Sequence, residues 1–421
     1  MRYPKIFLWI GLCLLASFQL KAEDDPNLKK LIEQALQQNP MLQEAKHRLD
    51  AAHYKIPQAG SWDDPMLMVM VEDIPLAKYG SPQNSMTMIE AGIEQRFPFP
   101  GKKSTAKAKS TLEAKGYGYE LDQARNEIIW QLRDTYYQLY LVTRSIGIFQ
   151  RNQGLASSAV QTDQTKLSAD LSTQQDVLRS QIERDELSKE ILDLQKDKQM
   201  LQAKLNTLMA RDVRTPINLP KRLGLARLPY SNAELVNRML QQSYVLKANE
   251  QWVEAAKKEH RMAKLDYYPD FDVGVFYRKF DLLEREPGMG EDFMKAAVKI
   301  PLPIFAGTKQ SKRVRETASQ YQETLAKKTK TENDLRYELE ETLAELTRAA
   351  KVYSLVAGRL LPQSRIAVDN AQVAYQAGSV QFTDILLNLQ KVFRYENDLL
   401  QAEVDHARAR AKLLFLIGES E

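Results

Sequence analysis

The sequence predicts a mainly α-helical chain with some β-strand: a tandem duplicated unit of long coiled-coil helical hairpins plus two β-hairpins, four strands in all. Three observations predict it. First, the chain repeats itself. Asn39–Lys55 aligns with Ser243–Glu259, so that Leu42 matches Leu246 and Pro65 matches Pro269, and Ala203–Ala210 aligns with Ala411–Gly418. Second, each copy holds two short alternating apolar/polar runs around a polar loop, the pattern of a β-hairpin. Third, most of the rest places apolar residues at alternating spacings of three and four, which is a coiled-coil seam.

Residues 1–22 read as a secretory signal peptide. Arg2 and Lys5 form a charged start, Ile6–Ala16 is apolar, and cleavage is expected after Ala22. Cys13 is the only cysteine and sits inside the apolar segment behind Leu12, so it reads neither as a lipidation site nor as part of a disulfide framework. Repeat 1 spans 23–220. It opens with a helix over Pro26–Ala59 and continues with a β-hairpin over about 65–98. By parity Leu67, Val69, Val71, Ile89, Ala91, Ile93 and Phe97 share one face. Glu72, Glu90, Glu94 and Arg96 share the other with Met66, Met68, Met70, Met86 and Met88. The strands end at Phe97-Pro98-Phe99-Pro100-Gly101, where the prolines stop pairing and the chain turns. A long helical hairpin over about 104–210 follows, with Ser104 in the place of an N-cap and a seam of Ile128, Leu132, Leu139, Val142, Ile146 and Phe149. It breaks at Lys166–Leu178. Repeat 2 spans 221–421 in the same order: a helix over Asn232–Leu265, a β-hairpin over about 269–301 with Phe271, Val273, Val275 and Tyr277 on its apolar face, a joint from Pro301 through Pro303 to Gly307, and a helical hairpin over about 310–418 broken at Tyr375–Leu386. Ser311 takes the N-cap place there.

Composition sets limits on function. A net charge of +4 with 27% charged residues gives no nucleic-acid footprint. Beyond the leader, no stretch approaches the roughly 18 apolar residues of a membrane helix. Four strands with an apolar outer face cannot leave open edges in hydrocarbon, so they must close by self-association. Two chains give eight strands and a filled interior, whereas three give twelve and a lumen. Trp62, Phe97, Phe99, Tyr267, Tyr268 and Phe305 cluster at strand ends as interfacial aromatics do. A soluble periplasmic coiled-coil adaptor or scaffold is the alternative, but it explains the helices and not the one-sided hairpins. A secreted enzyme lacks any nucleophile, metal or phosphate motif in this sequence.

With its leader, its duplication, the joints FPFPGK and IPLPIFAGTK, and YQAGSVQFTDILLNLQ, the mature chain resembles the TolC-type outer-membrane efflux factors over essentially its whole length. FPFPGK and MVEDIPL are most similar to the heavy-metal efflux branch. The resemblance implies a homotrimer with a 12-stranded β-barrel in outer-membrane lipid and an α-helical barrel in the periplasm. It implies a passive exit duct rather than an enzyme, no cofactor, and two partners: a periplasmic adaptor and an inner-membrane RND-type transporter. It also implies a periplasmic gate of Asp176, Tyr375 and Asp384. The hairpin tips Ser168, Ala169, Asp170, Ala377, Gly378 and Ser379 would meet the adaptor. Val380 stands where the family often has an arginine, and Leu387 replaces a second entrance aspartate.

Other readings of these residues are plainer. Asp176 and Asp384 also suit the N-caps of returning helices. The methionines could offer soft ligands to Cu(I) or Ag(I), but they alternate along strands rather than converge, so they read as space fillers. His47, His53, His260 and His406 are scattered and read as surface or seam residues. Glu90 and Glu94 read as a solvated face rather than a catalytic pair. Lys102-Lys103 and Lys312-Arg313 read as solvated or near lipid headgroups.

Overall fold

Asn39-Pro40 divides what the sequence predicts as one helix into α1 (Pro26–Gln38) and α2 (Pro40–Gly60). Pro40 has no N–H to continue α1, so it opens a new helix, and Asn39 caps it by accepting from Met41 N at 2.8 Å. β1 (Met66–Glu72) and β2 (Met88–Phe97) follow, then α3 (Lys102–Ser168) and α4 (Gln174–Leu208). The second run of helix is divided likewise, at Ser243, into α5 (Asn232–Gln242) and α6 (Tyr244–Leu265). Next come β3 (Phe271–Phe280), β4 (Phe293–Lys299), α7 (Gln310–Leu355), a π-helical turn (Val356–Leu360), α8 (Leu361–Gln376) and α9 (Phe382–Ile417). This computed structural model describes residues 25–72, 88–170, 173–225, 228–280, 291–377 and 379–419. The expected leader, the first hairpin's loop, Met86 and Gly378 lie outside the described residues.

Neither Ser104 nor Ser311 caps a helix. The proline joint already aims the chain, and α3 starts at Lys102 from Gly101, whose φ of 97° suits only glycine. Ser104 lies inside the first turn and its Oγ donates back to Gly101 O at 3.1 Å. α7 starts at Gln310, which places Ser311 within the helix.

α3 is 67 residues long, roughly 100 Å at 1.5 Å per residue. α7 and α8, joined through the π turn, run from Gln310 to Gln376 and match it. Next to the sheet, α3 packs on α2 and α6, and α6 on α7; farther away, α3 packs on α4 and α9, and α9 on α7 and α8. The seam residues fill these contacts, with Ile128 and Leu132 fully buried and Leu139 nearly so, and Leu339 and Ala349 fully buried in the second copy. α1 and α5 each close a core midway along the stalk. Leu28, Ile32 and Ala35 meet Leu132, Tyr136 and Leu205; Leu235 and Met239 meet Leu339, Leu413 and Leu416. Fully burying each such side chain contributes roughly 1.5–3 kcal/mol.

The π turn has a cause in the sequence. Pro362 has no N–H for the carbonyl of Gly358, and in an α-helix its ring would strike that oxygen. Instead the Leu361 N–H donates to Val356 O, five residues back, which widens the turn ahead of the proline.

Candidate functional site: the sheet, its joints and the hairpin tips

The four strands form one antiparallel sheet in the order β1-β2-β3-β4. Its register gathers the apolar residues on one face. Leu67 lies beside Ile93 and Ile93 beside Val275; Val69 lies beside Ala91 and Ala91 beside Tyr277; Val273 lies beside Val298. Nothing among the described residues covers this face: Leu67 is 74% exposed and Val298 63%. A soluble scaffold would hold these side chains in water.

The opposite face carries charge, in pairs. Arg278 binds Glu90 through Nε at 3.0 Å and a terminal nitrogen at 2.7 Å, and Lys295 Nζ reaches the other carboxylate oxygen at 3.1 Å. Lys299 pairs with Glu94, and Arg96 Nε with Asp272 at 3.0 Å. Glu90 and Glu94 are therefore buried, not solvated, because cationic side chains from β3 and β4 fold over them. Phe276 is buried on the same face. A Cβ at Gly92 would lie 2.2 Å from its ring, and one at Gly274 2.5 Å, so both glycines make room for it. A glycine inside a strand signals such a close approach; that signal was present in the sequence, but the partner was not identifiable.

The first strand-to-helix joint is stitched to the second repeat. Phe99 N donates to Asp270 Oδ1 at 2.9 Å and Lys102 Nζ reaches the same atom at 2.8 Å. Phe99 stacks on Tyr268 at 4.5 Å, Phe97 stacks on Phe271, and Trp62 meets Phe97 edge-on. Pro98, Pro100 and Gly101 make the turn that brings these groups together. Lys103 pairs with Asp63 at 2.9 Å, and Arg313 with Glu259 at 2.6 Å. Of the four cations expected in solvent or at headgroups, these three are paired by carboxylates brought in from α6 and the turns before β1 and β3, Arg313 remaining partly in solvent. Burial pushes the Asp270 carboxyl up, but the bonds from Lys102 and Phe99 outweigh it and hold the group below the ordinary aspartate range. Glu259 is held low in the same way, its burial outweighed by Lys109 and Arg313. The second joint, with Pro301, Pro303 and Gly307, leaves Ile300, Leu302, Ile304 and Phe305 exposed.

At the far end of the stalk, α3 closes at Ser168 and Ala169, and Asp170 takes a φ of 56° to turn the chain. Asp176 is not the N-cap of α4 but its third residue. Thr173 is the cap, and its N and Oγ1 donate to Asp176 Oδ2 at 3.1 and 2.7 Å. Asp384 repeats this capping box, accepting from Gln381 N at 3.0 Å. Ala377 caps the end of α8, and Ser379 N donates to Ala374 O at 2.9 Å. Tyr375, in the last turn of α8, is 39% exposed. Asp176 belongs to the α3–α4 hairpin and Tyr375 to the α8–α9 hairpin, and the two hairpins adjoin through α3 and α9. Near these tips Ser180 and Glu183 of α4 meet Leu386, Leu389 and Gln390 of α9 around a shallow groove. Among the described residues no cluster of His, Cys, Asp or Glu is arranged to hold a metal ion. No helix among them is long and apolar enough to cross a membrane.

No curated protein matches the sequence. Solved structures match the fold. VceC of Vibrio cholerae, an outer membrane protein, is 19% identical with a TM-score of 0.76, over 93% of this chain and 96% of that one. CusC, described with transmembrane channel formation, is 16% identical with a TM-score of 0.78, over 94% and 93%. The Campylobacter jejuni CmeC outer membrane channel is 14% identical with a TM-score of 0.76, over 94% and 88%. A family model described as outer membrane efflux protein matches residues 31–211 and 235–419, most of both halves. With one exposed apolar sheet face set on a long helical stalk, the chain belongs to the outer membrane efflux protein family, whose members are channels and not enzymes.

Proposed function

We propose that three copies of this chain close a twelve-stranded barrel in the outer membrane above a hollow helical cylinder. This assembly is the passive exit duct of a tripartite pump, fed by an inner-membrane RND-type transporter through a periplasmic adaptor. One observation carries the reading. The sheet has an exposed apolar face, a charged face and two open edges, and only closure with further copies satisfies all three in lipid. Two copies would leave almost no lumen. Similarity of FPFPGK and MVEDIPL to the heavy-metal branch supports metal ions as cargo. The adaptor would engage the tips at Ser168, Ala169, Asp170, Ala377, Gly378 and Ser379. Asp176, Tyr375 and Asp384 would hold the periplasmic end closed.

Cross-linking of solubilised outer membranes checks the assembly: a trimer is expected, and a monomer or dimer as the sole species refutes it. For cargo, a strain lacking the chain should lose tolerance to heavy-metal ions and regain it on complementation. Loss of drug tolerance alone contradicts the metal reading. For the gate, the Tyr375 hydroxyl would donate to the Asp176 carboxylate; Tyr375→Phe should then raise single-trimer conductance in planar bilayers, and Asp176→Ala should add little to it, because both would remove that one bond. Unchanged conductance in a well-assembled Tyr375→Phe trimer dismisses that pair.

A further inference from the structure

β1 and β4 are the edges of the sheet, and the outer edge of each has no strand partner among the described residues. The duplication supplies a template for what covers them, because β2 and β3 are the copies of β4 and β1 that already meet inside one chain. We propose that β4 of one copy pairs antiparallel with β1 of the next in the register that β2 and β3 show, which sets Val298 opposite Val69 and Lys295 opposite Glu72 of the second copy. This rests on the barrel reading above and gives its seam a definite register.

The register follows from the prolines. Pro98 after β2 corresponds to Pro301 after β4, an offset of 203, and Pro65 before β1 corresponds to Pro269 before β3, an offset of 204. Within the chain Gln95 faces Val273, and Gly92 faces Phe276. Carried across by those offsets, Gln95 becomes Val298 and Val273 becomes Val69; Gly92 becomes Lys295 and Phe276 becomes Glu72. Two features then agree that the alignment did not impose. Val298 and Val69 both belong to the exposed apolar face, so the faces remain continuous through the seam; a slip of one residue would turn Lys295 and Lys299 toward lipid. Charge is also complementary. Lys295 is 47% exposed beside Glu90, and Glu72 is 36% exposed with Arg278 no nearer than 3.8 Å, so each can take a further partner of opposite sign. A slip of two residues keeps the faces but separates this pair.

The test is disulfide trapping in outer membranes. Directly opposed residues place Cβ atoms about 4.5–5.5 Å apart and diagonal ones farther, so only the opposed pair suits a disulfide. Val69→Cys with Val298→Cys should yield covalent dimer and trimer as the dominant species on a non-reducing gel. Val71→Cys with Val298→Cys, and either single variant, should stay largely monomeric on that gel. β1 and β4 lie at opposite edges of the sheet, so such a link joins two chains. Leu67→Cys with Ile300→Cys tests the same register next to the joint should the first pair fail to assemble. Preferential linking of the Val71 pair overturns the register while leaving barrel closure intact. A native trimer in which none of these pairs links overturns β4–β1 pairing. A protein that remains monomeric before oxidation refutes the barrel reading itself.

Discussion

Phe276 dictates two glycines. Gly92→Ala would set a Cβ 2.5 Å from the Val275 carbonyl as well as against the ring, and backbone cannot step aside as a side chain can. We expect roughly 1–3 kcal/mol of destabilisation from such overpacking, read as a lower yield of heat-resistant trimer on gels. Asp270 makes a different demand, on pH. Its pKa is depressed in the fold, so its stabilisation is complete above the ordinary aspartate value and is lost as pH falls through the depressed one. Glu259 acts in the same direction. Thermal melting should therefore stay level from neutral pH down to about 4.5 and weaken only below it, and Asp270→Asn should flatten that loss. At neutral pH the substitution should cost about 2 kcal/mol, because Lys102, only 17% exposed, loses its charged acceptor.

Between Val356 and Leu360 the second long rod departs from the first. Replacing Pro362 by alanine restores the missing N–H and removes the cause of the wide turn. A proline inside a helix costs roughly 3 kcal/mol, part of which the π turn already relieves. Pro362→Ala should thus raise melting stability by about 1 kcal/mol and slow amide hydrogen exchange across Val356–Leu360. The sequence showed this proline but not the answer to it, since a kink, a break and a π turn all satisfy the same lost bond. Other elements were plainer. Alternation along Leu67, Val69 and Val71 gave the strand face, and the spacing of Ile128, Leu132 and Leu139 gave the buried seam, because both depend on local periodicity. The cap positions are not legible in the sequence, because a serine in the first turn looks the same whether it caps or follows a glycine turn. The ion pairs of Lys102, Lys103 and Arg313 were not legible either: Asp270, Asp63 and Glu259 lie far from them along the chain.

At the scale of the assembly, the two faces of the sheet make opposite demands. Val275→Arg, on the apolar face, should cost on the order of 2–4 kcal/mol in lipid and deplete the outer-membrane fraction. Met68→Arg lies on the charged face, and fractionation should find it inserted. That charged face has a consequence for what moves past it. Among the described residues it offers four acids, Glu72, Glu90, Glu94 and Asp272, and four bases, Arg96, Arg278, Lys295 and Lys299. A wall so compensated has no net valence with which to sort anions from cations. Across a bilayer with unequal salt on its two sides, an open channel of this kind should reverse its current close to zero voltage. Glu90→Gln would leave one uncompensated cation per copy and should move the reversal potential toward the value for anions, as expected if the ion pairs of this sheet set how the pore treats charge.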